Sequence, residues 1–302
     1  MSKPVSSLPI AFAGAPLDLR EHERSAAQVQ TYSKAPAARA IIVHEGEILA
    51  DIRGKLPKVH PRELVGKHLY DPGPLFLGFD GKAPIFAFNM AQAQEGLLLG
   101  MQVKFENIRG LAATLGPQEL ALAGRAKSLF DWHKSHRFCA MCGVESRSQH
   151  GGIARQCPSC STPHFPRVNP VVIMLVLNGD KCLLGRNAAW PDGAYSALAG
   201  FVSPGETLEE ACKREVFEEV GIRCENPVYK LSQPWPFPSQ LMIGLFCDTK
   251  QSKLTLDPKE ISDARWFTRE QVRGVFDGTD TSFACPPAFT IAHQLIKLWL
   301  DD

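Results

Sequence analysis

The sequence lacks an excess of charge of either sign. Lysine and arginine together number 33 and aspartate and glutamate 32, so the formal net charge of the 302 residues is +1. Proteins that bind nucleic acid through their overall electrostatic field carry a strong basic excess. The balanced charge therefore excludes that class of nucleic-acid-binding protein.

Long hydrophobic runs are also missing. The longest uninterrupted apolar run extends from Val171 to Leu177, far short of the roughly 20 apolar residues that a membrane-spanning helix requires. The first residues show no apolar core of a secretory signal. We therefore expect no association with membranes and a cytoplasmic location, and we interpret the run itself as a buried strand.

Cysteine, in contrast, is plentiful. Nine cysteines without an export signal predict a reducing compartment, in which thiols bind metal or pack in the core. Two C-x2-C pairs, Cys139/Cys142 and Cys157/Cys160, are separated by fourteen residues, close to the spacing of a four-cysteine zinc ribbon. Four protein ligands leave no position for water, so we predict one structural Zn²⁺ per chain. We interpret the five remaining cysteines as buried hydrophobic residues: Cys182, Cys212, Cys224, Cys247 and Cys285.

The segment from Gly200 to Ile222 is the candidate for chemistry. Thr207 and Glu210 have the spacing of a capping box, and Gly221 stands where a left-handed residue would end a helix. We therefore predict a helix over residues 208–220.

Three glutamates of this helix, Glu215, Glu218 and Glu219, lie at positions i, i+3 and i+4 and so share one face. Like charges one turn apart repel, more strongly when they are partly desolvated, so a semi-buried cluster requires a countercharge. Mg²⁺ and Mn²⁺, hard cations that prefer oxygen ligands, meet this requirement. The alternative for these three residues alone is a solvated acidic face.

The wider string resembles a known signature. It matches the Nudix box at Gly200, Glu206, Arg214, Glu215, Glu218, Glu219, Gly221 and Ile222. Nudix hydrolases cleave a nucleoside diphosphate linked to another moiety. The downstream run Ser-Gln-Pro-Trp-Pro-Phe-Pro at 232–238, together with the upstream cysteine pairs, resembles the NADH pyrophosphatase subfamily. The resemblance covers about residues 117 to 302 in motif detail and the N-terminal region in general layout.

The resemblance implies an α+β fold with three domains. An N-terminal Nudix-like mixed α/β domain would span residues 1–130, the zinc ribbon 131–165 and the catalytic Nudix domain, an α/β/α sandwich, 166–302. Short apolar runs at 40–44, 75–79, 84–88 and 96–100 predict strands in the first domain, and Pro117 to His136 has a helical pattern. The first 30 or so residues are weakly patterned, and we expect them to be ordered in part at most.

The resemblance also implies an activity. Members of the subfamily split NAD(H) at the pyrophosphate into nicotinamide mononucleotide and AMP with Mg²⁺ or Mn²⁺, bacterial members also remove NAD caps from RNA, and members are generally homodimers. Two or three catalytic cations would be bound by Glu215, Glu218, Glu219, Glu260 and the main-chain carbonyl of Ala199. Substrate contacts would come from Phe165, Phe201, Gln233, Pro234, Trp235, Pro236, Phe237, Pro238, Ser239, Gln240 and Ala292.

Roles within the acidic cluster follow from charge. We interpret Arg214 as the residue that orients a carboxylate, with a plain surface ion pair as the alternative. Either Glu218 or Glu219 would accept a proton from the attacking water.

Two positions depart from the subfamily pattern: Phe165 stands where tyrosine is common, and Gly152 stands where some members have a substrate-contacting glutamate. The second departure questions a direct role of the zinc ribbon in substrate binding.

Two other functions stay open at this point. A Nudix pyrophosphatase of broader range would act on ADP-ribose or diadenosine polyphosphates. A protein of another class would use its zinc ribbon to bind RNA or a partner, with the Nudix fold as a passive scaffold. Residues 137–167 contain four arginines and no lysine, a small positive charge for phosphate contacts, which favours the enzyme.

Overall fold

The structure, a computed structural model, describes residues 10–64, 72–89 and 102–302. The chain divides into two compact units. The N-terminal unit comprises Ala11–Val168 together with Trp235–Ser239, and the C-terminal unit contains Asn169–Pro234 and Gln240–Asp302. No helix among the described residues combines the length and the apolar character needed to cross a bilayer.

The N-terminal unit contains a five-stranded sheet with the order β3-β4-β1-β2-β5. Its strands are β1 (Arg39–His44), β2 (Glu47–Asp51), β3 (Leu75–Asp80), β4 (Ala83–Asn89) and β5 (Val103–Glu106). Its helices are α1 (Ala26–Ser33), α2 (Pro61–Leu64), α3 (Ile108–Leu111) and α4 (Pro117–Ser135). The strands predicted at 40–44, 75–79 and 84–88 and the helix predicted from Pro117 are confirmed, whereas the strand predicted at 96–100 lies outside the described residues.

The beginning of the chain is partly described. Residues 1–9 lie outside the described ranges, but Phe12 and Arg24 are buried and α1 starts at Ala26 with a capping box on Ser25. The Arg24 guanidinium donates hydrogen bonds to the carbonyls of Leu19 and Phe76. These contacts attach residues 12–33 to the sheet. Residues 12–33 are therefore more ordered than their weak sequence pattern predicted.

A three-stranded sheet of order β6-β7-β8 follows α4. Its strands are β6 (Arg147–Gln149), β7 (Ala154–Gln156) and β8 (Pro163–His164), and a short 3-10 helix, His150–Gly152, joins the first two. Buried His133 of α4 lies 2.8 Å from the carbonyl oxygen of Gly152 and 2.9 Å from Nη1 of Arg155. Polar contacts between buried groups therefore link α4 to this sheet.

The C-terminal unit is built on a second sheet of order β12-β13-β9-β10-β14, with β11 paired to β9. Its strands are β9 (Asn169–Asn178), β10 (Lys181–Arg186), β11 (Leu198–Phe201), β12 (Glu225–Trp235), β13 (Gln240–Asp248) and β14 (Asp263–Thr268). Its helices are α5 (Leu208–Val220), α6 (Arg269–Phe276) and α7 (Ile291–Asp301). The apolar run from Val171 to Leu177 lies within β9, as predicted.

Strand β9 separates two hydrophobic cores. Val172, Met174 and Val176 pack in the same core as the buried residues of α5, whereas Ile173 and Leu175 pack in the core that contains α7. Alternate side chains of a strand point to opposite faces of its sheet, so helices cover both faces of β9. This arrangement confirms the predicted α/β/α sandwich.

Helix α5 has the bounds that its caps predicted. The Thr207 hydroxyl accepts a hydrogen bond from the Glu210 amide, and the Glu210 carboxylate accepts one from the Thr207 amide. Gly221 ends the helix with a φ of 71°, a conformation in which glycine has no steric cost. An N-cap of this kind typically contributes about 1 kcal/mol, so local interactions position the whole acidic segment.

Candidate active site

The site begins where α5 crosses strand β11. A Cβ atom placed on Gly200 would lie 1.9 Å from the carboxyl carbon of Glu215. Because any side chain would occupy the position of this carboxylate, glycine is required here for the close approach. Gly200 therefore allows a helix carboxylate to lie directly against the strand.

Arg214 is surrounded by carboxylates. It donates to Glu206 through Nε and Nη2, over 2.5 and 2.8 Å, in a bidentate arrangement. Its Nη1 donates to Glu215 over 2.7 Å and to Glu218 over 2.9 Å, and Nη2 also donates to the carbonyl of Phe201. One guanidinium thus holds three carboxylates and the end of β11 in fixed positions.

Glu215 and Glu219 are the two buried carboxylates of this helix. Burial raises the pKa of Glu215 above its ordinary value, although Arg214 opposes the change. Burial, with the charges of Glu215 and Glu260 added, raises the pKa of Glu219 to about 8. Glu219 is 6% exposed, and its Oε2 has no hydrogen-bond partner among the residues that the structure describes.

A buried carboxylate oxygen without a partner is costly and calls for a positive charge. Glu218 and Glu260 are exposed, and Glu260 is close enough to act electrostatically on both buried carboxylates. Carboxylate oxygens are the preferred ligands of hard divalent cations. The residues present therefore fit a divalent metal, whose identity the donor set does not specify.

The predicted substrate contacts in the C-terminal unit have different surroundings. Phe201 is 54% exposed, whereas Ala292, in the first turn of α7, is buried in the core. Gln233 is 1% exposed: its Nε2 donates to the carbonyl of Phe289, and its Oε1 accepts from the amide of Ile291. Gln233 thus holds the start of α7, a structural task that the sequence pattern did not indicate.

Phe165 and the segment Trp235–Ser239, which were also predicted to contact substrate, belong to the N-terminal unit. Phe165 is 60% exposed. Trp235 and Phe237 contact each other and Phe12 edge to face, with ring centroids 4.9 to 6.0 Å apart. The Lys127 ammonium donates to the carbonyl of Pro236 over 2.9 Å. The two aromatic rings of this proline-rich segment therefore pack against another aromatic ring within the N-terminal unit.

The four cysteines of the two C-x2-C pairs come together as predicted. The sulfur atoms of Cys139, Cys142, Cys157 and Cys160 all lie within 4.8 Å of one another. Backbone hydrogen bonds close each turn, from Gly143 to Cys139 and from Ser161 to Cys157. A tetrahedral Zn²⁺ site requires this convergence of four sulfur atoms, so the cluster fits structural zinc.

Gly152 has a structural reason to be glycine. Its φ is 93°, and a Cβ there would lie 2.2 Å from Cδ2 of Leu75. A glutamate at this position would be strained and would collide with β3. The position thus contributes no carboxylate to substrate in this chain.

Two features were missed by sequence reasoning. The buried pair of His133 and Arg155 could be suspected only from their proximity to the cysteines, a weak signal. Cys212, Cys224 and Cys247, interpreted as separate hydrophobic residues, form a second sulfur group. No spacing rule could have found it, because the packing of α5 against the sheet brings its members together.

Comparison with protein families agrees with this architecture. The NUDIX domain family matches residues 167–284, the NADH pyrophosphatase-like rudimentary NUDIX domain matches 37–132 and the NADH pyrophosphatase zinc ribbon domain matches 134–165. The three matches follow one another along the chain.

Curated relatives extend the likeness. The chain is 45% identical over 197 residues to the NAD-capped RNA hydrolase NUDT12 of Homo sapiens, covering 62% of this chain but 43% of the relative, so it spans less than half of that protein. It is 35% identical over 268 residues to the NAD-capped RNA hydrolase NudC of Deinococcus radiodurans, covering 87% of each chain. It is 36% identical over 239 residues to the mitochondrial NAD(P)H pyrophosphatase NUDT13 of Homo sapiens, covering 75% of this chain and 67% of the relative. The chain belongs to the Nudix hydrolase family, in the NADH pyrophosphatase group that joins a rudimentary Nudix domain and a zinc ribbon to a complete Nudix domain.

Proposed function

We propose that this protein hydrolyses the pyrophosphate bond of NAD(H) to nicotinamide mononucleotide and AMP, and that NAD-capped RNA is a second substrate. The observation that carries the proposal is the pair of buried carboxylates, Glu215 and Glu219, on the helix of a complete Nudix box. The names of the relatives, which are NAD-capped RNA hydrolases and an NAD(P)H pyrophosphatase, support this choice of substrates.

The proposed cations are Mg²⁺ or Mn²⁺. Their ligands would be Glu215, Glu218, Glu219, Glu260 and the main-chain carbonyl of Ala199. When bound, a divalent cation supplies positive charge that offsets the pyrophosphate oxygens and makes water a better nucleophile. The raised pKa of Glu219, together with the absence of a hydrogen-bond partner for its Oε2 among the described residues, supports the binding of a cation beside this carboxylate.

The side chains of the helix have separate tasks in this proposal. Arg214 orients Glu206, Glu215 and Glu218 through four hydrogen bonds and does not contact phosphate. Glu218 Oε2 already accepts from Arg214, whereas Glu219 Oε2 has no such bond among the described residues. Of the two candidate proton acceptors, Glu219 is therefore better placed to take a proton from the attacking water.

Substrate rings require exposed apolar faces. Phe201, next to Gly200, and Phe165 each have one, and both are proposed to stack on a base or a nicotinamide ring. The other proposed substrate contacts are Gln233, Pro234, Trp235, Pro236, Phe237, Pro238, Ser239, Gln240 and Ala292. For Gln233 and Ala292, which are buried, we propose an indirect contribution through the position of α7.

Two further proposals concern the whole protein. We propose a homodimer, which light scattering of the purified protein would test, and a cytoplasmic location, which fractionation of cells would test. A monomeric mass at micromolar concentration would contradict the first of these proposals.

The activity is tested by quantifying AMP and nicotinamide mononucleotide released from NADH in Mg²⁺ or Mn²⁺. NAD⁺, NAD-capped RNA, ADP-ribose and a diadenosine polyphosphate are compared at equal concentration. Faster cleavage of NADH and capped RNA is expected. Faster cleavage of ADP-ribose would indicate the broader Nudix activity, and retention of RNA without cleavage of any diphosphate would indicate the scaffold.

A further inference from the structure

Three cysteines of the C-terminal unit converge at a place remote in sequence from the zinc ribbon. Cys212 lies on α5, Cys224 directly precedes β12 and Cys247 lies on β13. Their sulfur atoms all lie within 4.8 Å of one another. We call Cys212, Cys224 and Cys247 the sulfur cluster.

The sulfur cluster is deeply buried. The exposed fractions of its three residues range from 0% to 5%. They belong to the apolar core between α5 and the sheet, with Val216, Val220 and Ile243. Within the described ranges, the sulfur cluster and the zinc ribbon are the two groups of at least three histidine, cysteine or acidic side chains that bring their ligand atoms so close.

The three thiols interact with one another. The Cys224 sulfur lies within hydrogen-bond reach of the Cys212 and Cys247 thiols, and these two thiols lie within reach of each other. A thiolate is the form of cysteine that binds metal. An ion bound by this group would therefore replace the protons that the three sulfur atoms share.

The spacing of the sulfur atoms fits a shared ion. Bonds of about 2.3 Å to one cation keep three sulfur atoms about 4 Å apart in a trigonal arrangement, within the limit of 4.8 Å observed. A disulfide would require two sulfur atoms at about 2.05 Å and would leave the third cysteine alone.

We propose that the sulfur cluster is a binding site for Cu(I). Thiolates select soft cations, of which Cu(I) accepts as few as two or three ligands. Zn²⁺ prefers four ligands, and no fourth ligand joins the three sulfur atoms among the described residues. Mg²⁺ and Mn²⁺ prefer oxygen, so this site and the carboxylates of α5 select different ions.

Binding involves no electron transfer. Each thiol that becomes a ligand releases its proton to solvent, and Cu(I) keeps its oxidation state. Because the three ligands are buried in the core, the ion would enter during folding or during local opening of the unit. Occupation would connect α5 to β13 and to the residue before β12.

The test uses the full chain with zinc bound to its ribbon, kept free of oxygen. The protein is equilibrated overnight with Cu(I) buffered by bathocuproine disulfonate, and copper and zinc are then measured together. We expect one copper per chain with zinc retained. Cys224→Ala and Cys247→Ala should each abolish this copper, whereas Cys182→Ala, which alters a buried cysteine outside the cluster, should keep it.

Three results would overturn the proposal: no bound copper, copper that binds only as zinc is lost, or equal copper in the cluster variants. X-ray absorption at the copper edge of the wild type provides a measurement that does not depend on how the variants fold. Two or three sulfur neighbours and no nitrogen are expected, and nitrogen ligands would contradict the site. NADH cleavage is not part of the readout, so failure here leaves the proposed activity untouched.

Discussion

Helix α5 contributes to two proposed metal sites of opposite chemistry. On one side are Glu215, which lies against Gly200 of β11, and Glu219, and burial raises the pKa of both carboxyl groups. On the other, Cys212 joins two more cysteines in an apolar core. A buried carboxylate requires a countercharge, whereas a neutral thiol packs in a core without one. The carboxylates of α5 therefore need a cation to be stable when they are charged. The thiol of Cys212 on the same helix is stable in the core without one.

The largest expected effect is on the carboxylate side. Glu219→Gln should lower kcat for NADH by about 10³-fold, because a buried amide neither neutralises a cation nor accepts a proton. Thermal stability should not fall, since the amide has the size of the carboxyl group and Glu219 Oε2 has no hydrogen bond to lose among the described residues. The exposed Glu209 of the same helix provides the control, and Glu209→Gln should retain normal kcat. Equal activity of the two variants would rule out Glu219 as a catalytic group.

Gly200→Ala tests how closely the helix must approach the strand. The new Cβ would lie 1.9 Å from the Glu215 carboxyl carbon, so this carboxylate must move. A displacement of about 1 Å in a catalytic site can cost about 10²-fold in rate, and we expect a loss of kcat of that order. Gly116→Ala, whose Cβ would meet nothing within 4 Å, is the control. Steady-state kinetics that match the control would contradict the required approach.

A change in the sulfur cluster should alter the free energy of unfolding. Cys212→Ser places a hydroxyl in an apolar core and should lower the free energy of unfolding by about 1 to 3 kcal/mol. Cys285, which is half-buried, provides the comparison, and Cys285→Ser should cost less. Urea denaturation measures both. Equal losses would show that the core around Cys212 tolerates polar groups.

The smallest expected effect is the change in thermal stability at acid pH when Glu206, a hydrogen-bond partner of Arg214, is replaced. Hydrogen bonds from Arg214, with one from the Ser203 amide, lower the pKa of Glu206 from its ordinary 4.5 to about 2. A folded-state pKa below the unfolded value contributes stability that is fully present above about pH 4.5 and disappears as the pH falls towards 2. The difference in Tm between wild type and Glu206→Gln should therefore shrink between about pH 5 and about pH 3. If the difference in Tm is the same throughout this pH range, the contribution of Glu206 to stability comes from packing and not from its charge.

Several parts of the fold could be predicted from the sequence because they depend on residues that are close together in the chain. The caps at Thr207 and Gly221 determined the bounds of α5, and the C-x2-C pairs determined the zinc ribbon. Periodicity identified β9 and α4 for the same reason. These features depend on spacings of a few residues, which a sequence displays directly.

Other parts of the site could not be predicted. Gln233 was predicted to contact substrate by its place in a motif, and its hydrogen bonds to the start of α7 came only from the structure. Trp235 and Phe237 were predicted to contact substrate in the same way, and their edge-to-face packing with Phe12 also came only from the structure. In each case the partner lies more than fifty residues away, beyond any local pattern.

By itself, the sequence determined the Nudix helix, the order of its carboxylates and the zinc ribbon, because local hydrogen bonds and ligand spacing decide these. Only the tertiary structure decided which carboxylates are buried, why residue 200 must be glycine and that Cys212, Cys224 and Cys247 meet. Burial and convergence arise from packing between elements distant in the chain, and this packing determines the pKa of each carboxyl group and the surroundings of each thiol.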